Sequence, residues 1–275
     1  MMNFRAVAME CFPWAYDRLR AIKFMIDTKY FRTCTVEHLY GGNVFKVNIA
    51  DRIGRDWYDH DWGRLGEFDL LSTKGLLDGA RVFDLGAHQA VVAMMLAKES
   101  GLSGEVISVE GSRHNYEVGC KNIVLNDFNN IISIHAVVAQ HDGEIFFDES
   151  LNGSVTSNKS DSLTKPVRAV TIDGLAKQFG PPNVVFIDIE GHEISALKGA
   201  KNTLASLVTW CIEVHGDKIL AKYGSKNMDI LDFFNSSQSF FYRSDEREPF
   251  VKLEDPNDVP HERFFLIIIP KILQK

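Results

Sequence analysis

From about residue 80 onward, short apolar runs alternate with segments whose apolar residues return every three or four positions. The strand-like runs are 81–85, 105–110, 131–138, 144–147, 167–170, 184–189, 207–214 and 264–269. The helix-like segments are 90–98, 113–125, 172–179 and 193–204. In the last of these, Ile194, Leu197, Ala200 and Leu204 form one stripe, which predicts a helix laid on a sheet. The runs VISVE and VVFID are continuously apolar, the mark of strands buried on both faces. Repeated strand–helix–strand order predicts an α/β fold with a doubly wound parallel sheet. Asp142-Gly143, between two apolar runs, predicts a hairpin turn.

Outside this series the pattern weakens. Residues 148–165 are rich in Ser, Thr and Asn and lack a period, which predicts an exposed loop. Residues 1–75 carry Trp14, Trp57, Trp62 and a Gly41-Gly42 turn; they read as an N-terminal helical and strand cover packed on the main domain, 76–275. Ala15, Leu19, Ile22 and Ile26 share a helical face, opposite a face with charges of both signs, so a covering helix is expected there rather than a membrane-surface one.

Composition narrows the class without naming a chemistry. The 275 residues include 30 Lys and Arg against 37 Asp and Glu, a net charge of −7, with 45% hydrophobic residues. Disordered and collagen-like chains are excluded. The acidic balance argues against a nucleic-acid backbone binder. Four cysteines without a C-x-x-C pair exclude a zinc knuckle and fit a reducing compartment. The apolar run 264–269, closed by Pro270, is far shorter than the roughly 20 residues of a membrane helix. A cytoplasmic location is the expectation.

Candidate chemistry concentrates at RVFDLGAHQA, residues 81–90. A strand ends at Asp84 and Leu85, Gly86 makes the bend, and a helix opens near Ala90. Such a turn lets a ligand approach the backbone at a helix N-terminus. Glu110 ends the next strand, where a carboxylate can hold ribose hydroxyls. A dinucleotide site requires a G-x-G-x-x-G run with room for a pyrophosphate, and only Gly86 is glycine here. Asp84 would repel phosphate and suit an ammonium. The residues therefore favour S-adenosylmethionine over a dinucleotide.

The blocks VFDLGAHQAVVAMMLAK, VISVEGSRHNYEVGCKNIVLND, VVFIDIEGHEISALKGAKNTL and CIEVHG resemble, in order, those of FkbM-type S-adenosylmethionine-dependent methyltransferases. The similarity runs from about residue 50 to 216, and I-D-I-E-G-H-E…L-K-G-A and E-V-H are its most specific parts. The resemblance implies a class I methyltransferase (Rossmann-like) fold with a seven-stranded, mostly parallel sheet and a final antiparallel strand. It also implies O-methylation of a sugar, glycan or natural-product hydroxyl. By position, Asp84, Gly86, His88 and Glu110 fall on the cofactor-binding blocks; Asp188, Glu190 and Glu193 fall on D-x-E-G-x-E, and Glu213 with His215 on E-x-H. His88 and Ala90 stand where the family usually has Asn and Gly, and Gly111 where a Pro usually follows the ribose acid.

Methyl transfer to oxygen requires a base. His215, just past an apolar strand, is the candidate, with Glu213 on the same strand face to orient it. Asp188 and Glu190 leave the strand VVFIDIE and are expected to steady the sulfonium, orient the acceptor or hold a metal; no metal is assigned. Glu193 reads as a first-turn acid facing the helix dipole, and Asp173 as the cap of its own helix. His60, His114, His135 and His192 lack metal-ligand spacing and read as structural. Two rivals remain at this stage: a nicotinamide-dependent oxidoreductase and a non-catalytic module of the same fold.

Overall fold

A computed structural model describes residues 23, 26–148, 154–155, 164–245, 249–255 and 258–273. The helical face expected at 15, 19 and 22 and most of the loop expected at 148–165 lie outside these residues.

After helical residues at 26–29, the described chain forms a hairpin, β1 (Cys34–Tyr40) and β2 (Asn43–Ile49), turning at Gly41-Gly42. Helices α1 (Arg52–Tyr58) and α2 (Gly66–Thr73) follow. The αβ series then runs β3 (Arg81–Leu85), α3 (Val91–Ser100), β4 (Glu105–Glu110), α4 (Arg113–Leu125) and β5 (Ile131–His135). Next come the short strands β6 (Val137–Val138), β7 (Gly143–Asp148), β8 (Ser154–Val155) and β9 (Thr164–Val170). After them lie α5 (Ile172–Phe179), β10 (Val184–Ile187), α6 (Glu193–Lys198), α7 (Lys201–Leu204) and β11 (Thr209–Val214). The chain closes with α8 (Asp217–Leu220), α9 (Met228–Leu231), β12 (Ser239–Ser244), β13 (Val251–Lys252) and β14 (Phe264–Pro270).

The main sheet has the order β13-β12-β14-β11-β10-β3-β4-β5. Strands β5, β4, β3, β10 and β11 are parallel, and β14 enters antiparallel between β11 and β12. The doubly wound sheet and its final antiparallel strand are as expected. The strand count is not: eight strands replace seven, because β13 adds a two-residue antiparallel edge to β12.

Although β4 and β10 read as continuously apolar runs, the side chains of the central strands still alternate. Val82, Val184, Phe186 and Cys211 join one core with the β1–β2 hairpin and α3. Phe83, Leu85, Val185, Ile187 and Trp210 join the opposite core with α5, α6 and β14. Two buried faces explain the missing hydrophobic–polar alternation. The hairpin is fastened to α4 by side-chain amides: Lys46 N–H donates to Asn126 Oδ1 and Asn48 N–H to Asn122 Oδ1, each at 2.8 Å.

Several local expectations are corrected. The run 131–138 splits at Ala136, whose N–H bonds to the Glu110 carbonyl at 3.0 Å, and β6 leaves for a second sheet of order β6-β9-β7-β8. Asp142-Gly143 therefore closes no hairpin with the preceding run: β7 pairs with β9, and the Asp142 carboxylate accepts from Thr171 N–H at 2.7 Å. Thr171, not Asp173, caps α5, at 2.9 Å from Gly174 N–H. Asp173 instead accepts from the Asn202 and Thr203 amides at the start of α7. The single helix expected at 193–204 is broken at Gly199, where a side chain would meet the Ala139 carbonyl at 2.4 Å.

Candidate active site

The parallel strands present their carboxyl ends on one edge, and the chain order reverses between β3 and β10. Ligand crevices of open α/β sheets form at such a reversal. Here the two exits touch: Asp188 N–H donates to the Leu85 carbonyl at 2.9 Å. A crevice of about 600 Å³, its open mouth included, is lined by Trp57, Gly86, His88, Glu110, Asp188 and Glu190, among others.

The turn after β3 is held by its own backbone. Gly86 and Ala87 N–H groups donate to the Val109 carbonyl at 2.9 and 3.0 Å. Gly86 has φ +93°, and a Cβ there would lie 1.7 Å from the Asp188 carbonyl oxygen. Glycine is thus required by the neighbouring strand's exit as well as by the crevice. His88 and Ala90 take φ +47° and +63°, left-handed values that Asn and Gly adopt with least strain. That is the backbone reason the resembling sequences carry Asn and Gly at these places.

Glu110 is buried at the end of β4. Its Oε2 accepts from His88 N–H at 2.8 Å and its Oε1 from Ser112 N–H at 2.7 Å. Burial pushes its carboxyl up to about 8, against these bonds, which pull it down. Each oxygen keeps a lone pair for a further donor. Asp84 is buried too, and burial pushes it up to about 7; its Oδ2 has no hydrogen-bond partner among the described residues. It is not among the residues lining the crevice.

The cover reaches this turn through side chains that no local pattern announces. The Tyr58 hydroxyl and His88 Nδ1 are 2.8 Å apart, and the Trp57 ring lies 4.8 Å from the His88 ring. Burial pushes His88 down to about 4, so the ring is neutral near pH 7. Gln89, fully buried, donates to Asp51 Oδ2 at 2.7 Å. Asp51 also takes the Gly54 N–H and lies 2.8 Å from His114 Nε2. His114 is structural, as expected, and so is His135, which bonds the Gly111 carbonyl.

On the other side of the crevice stand the acids of β10 and β11 with His215. Its Nε2 lies 3.5 Å from Asp188, 3.6 Å from Glu190 and 3.6 Å from Glu213. The partner that orients the ring is Glu193 rather than Glu213: Glu193 Oε1 is 2.5 Å from His215 Nδ1 and also accepts from Gly191 N–H at 3.0 Å. Glu193, fully buried, does more than face a helix dipole. Burial works to lower the His215 pKa, but the Glu193 hydrogen bond and the surrounding carboxylates outweigh it and push the ring up to about 9. Asp188 is raised by the crowding of the pocket wall and by Glu213, although 57% of its side chain faces open space. Arg263 Nε contacts Glu213 Oε1 at 2.5 Å. Arg263 lies 50 residues beyond Glu213 in a stretch without a motif, so the sequence offered no signal for it.

The eight residues singled out from the sequence thus fall in two groups. Gly86, His88 and Glu110 meet Asp188 and Glu190 across the crevice; Glu213 and His215 stand just behind the latter pair, and Asp84 behind the turn.

Comparison with known proteins fits this arrangement. The Methyltransferase FkbM domain matches residues 84–242, more than half of the chain. Hexuronic acid methyltransferase AglP of Haloferax volcanii is 31% identical over 90 residues, which are 31% of this chain and 37% of that protein. Among solved structures, a putative rRNA methylase from Clostridium thermocellum aligns with TM-score 0.45 and 14% identity, over 74% of this chain and 93% of that one. A SAM-dependent O-methyltransferase from Thermotoga maritima aligns with TM-score 0.43 and 10% identity, over 83% and 75%. These two likenesses are loose, and the fold rests on the strand order. With the matched segment running from the acid of β3 through the acids of β10 and β11 to β12, the chain belongs to the FkbM methyltransferase family.

Proposed function

We propose that the protein transfers a methyl group from S-adenosylmethionine to a hydroxyl of an acidic sugar or glycan. The observation that carries this reading is the convergence of Glu110, the 86–88 turn and Asp188 on one crevice. The residues present fit the cofactor. Glu110 retains acceptor capacity for ribose hydroxyls, and the crevice is mixed apolar and acidic; Asp84, expected to meet the ammonium, lies behind the turn and does not line it. No G-x-G-x-x-G turn offers a pyrophosphate seat. S-adenosylmethionine, when bound, supplies an activated methyl on a sulfonium.

The protein's share is alignment, exclusion of water and removal of the acceptor proton. Asp188 and Glu190 present negative charge to the crevice. His215, fixed through Nδ1 by Glu193 and with its pKa raised to about 9, carries a proton near pH 7 in the ligand-free chain; its Nε2 positions the acceptor oxygen and takes the acceptor proton only after losing its own. The choice of a sugar acid follows the resemblance to the hexuronic acid methyltransferase, whose match spans little more than a third of that protein. We also take residues 1–75 as an N-terminal cover, not an independent domain; of its described residues, Tyr40, Phe45, Val47 and Ile49 join the core that contains α3. Among the described residues no helix is long and apolar enough to cross a membrane.

Transfer of a labelled methyl from S-adenosylmethionine to uronate-containing glycans tests this reading. The parent should give product, and His215→Ala should lower turnover on the order of 100-fold while S-adenosylhomocysteine affinity stays within a few-fold. Equal turnover in His215→Ala would remove that residue's role. A thermal shift with a nicotinamide dinucleotide but none with S-adenosylhomocysteine would favour an oxidoreductase, and a shift with neither a non-catalytic module.

A further inference from the structure

The group around His215 is more than an acidic cluster. Asp188, Glu213 and His215 each bring one ligand atom within 4.8 Å of the others. Glu190 adds a carboxylate oxygen 3.6 Å from the same ring nitrogen. The His215 side chain is only 8% exposed, with Nδ1 taken by Glu193. Its Nε2, without a hydrogen bond among the described residues, points between three carboxylates at 3.5–3.6 Å. A buried imidazole with one nitrogen fixed by a carboxylate and the other aimed at a ring of oxygen donors is the arrangement in which proteins hold metal ions.

We propose that Asp188, Glu213 and His215, joined by Glu190, bind one divalent cation of the Mn²⁺ type at the acceptor end of the crevice. The donor set selects the ion class. Carboxylate oxygens suit Mg²⁺, Ca²⁺ and Mn²⁺, and an imidazole nitrogen shifts the preference toward Mn²⁺; no thiolate is present to favour a softer ion. Glu193 is the positioning residue, holding the ring so that Nε2 faces the ion. Glu213 Oε1, the oxygen 3.6 Å from His215 Nε2, is also held by Arg263 Nε, so Glu213 would share its ligating oxygen with the guanidinium.

The cation also resolves a charge conflict. The three carboxylates around His215 Nε2, of which Arg263 pairs with one, would repel an acidic acceptor. Asp188 and Glu190 line the crevice, so an ion they hold would open its remaining positions to acceptor oxygens. This use of the ion rests on the function proposed above, with His215 Nε2 then acting through the ion it ligates rather than taking the proton itself; the binding site rests on geometry alone.

Mn²⁺ titration of the chelator-stripped full chain, followed by electron paramagnetic resonance, tests it. The free Mn²⁺ signal should be lost at one ion per chain, and pulsed spectra should show a nitrogen coupling. Asp188→Asn and Glu213→Gln should each weaken binding at least 10-fold. His215→Gln should abolish the nitrogen coupling, and Glu193→Gln should weaken binding ~10–100-fold. Thermal melting of each variant controls for folding. No binding by the folded parent at millimolar Mn²⁺, or equal binding by parent and folded variants, would overturn the site. Mn²⁺ bound without any affinity for S-adenosylhomocysteine would leave the site standing and sink the methyltransferase reading instead.

Discussion

Gly86 shows how much one position can carry. A methyl there meets the Asp188 carbonyl at 1.7 Å and must also adopt φ +93°. Overpacking and left-handed strain together make Gly86→Ala destabilising by about 2–5 kcal/mol in chemical denaturation; a loss below about 1 kcal/mol would show that β10 can move aside. Asp84 and Glu110 make a pH prediction. Their folded values, about 7 and about 8, lie above the ordinary 3.8 and 4.5. For a raised carboxyl, stability is full below the ordinary value and is lost as pH rises through the folded one. The ligand-free chain should therefore melt at lower temperature at about pH 8.5 than at about pH 6.5; His215, raised to about 9, adds to this fall, so Asp84→Asn with Glu110→Gln should reduce the trend without abolishing it. His88, held down to about 4, acts only below that window. Asp84, Gly86 and Glu110 were legible because strand, bend and strand-end acid follow one another along the chain. The true partner of His215 was not, since Glu193 sits 22 residues away and is recognised only when α6 brings it there.

Elements declared themselves where periodicity was strong. β3, β4, α4 and α5 match their expected limits. The β1–β2 hairpin, β12 and β13 went unread: β1 and β2 are half-exposed, with weak patterning, and β13 is two residues long. Helix 193–204 failed for a tertiary reason, the approach of Ala139 to Gly199. The fastening of the cover was equally invisible, because Asp51, Gln89 and His114 are distant in sequence. Asp51→Ala strips a charged acceptor from Gly54 N–H, Gln89 and His114 at once. It should cost about 2–4 kcal/mol, and amide exchange should accelerate in α1 before the parallel strands. Uniform acceleration across the main sheet would mean that the cover and sheet open as one unit.

At the scale of the molecule, the site is where three independent parts meet. The β3–β4 edge brings Gly86, His88 and Glu110; the β10–β11 edge brings Asp188, Glu190, Glu213 and His215; the cover brings Trp57 and Tyr58. The sheet's reversal between β3 and β10 creates the crevice, and in the function proposed above the acids on its two sides mark a cofactor end and an acceptor end. The central claim is that this crevice seats S-adenosylmethionine through Glu110. Calorimetric titration of S-adenosylhomocysteine into the parent and into Glu110→Ala tests it most directly. The account predicts one site per chain in the parent and affinity weakened ~100-fold in the variant, the loss of two hydrogen bonds to the ribose. No heat of binding in the folded parent, or equal affinity in a folded Glu110→Ala, would contradict it.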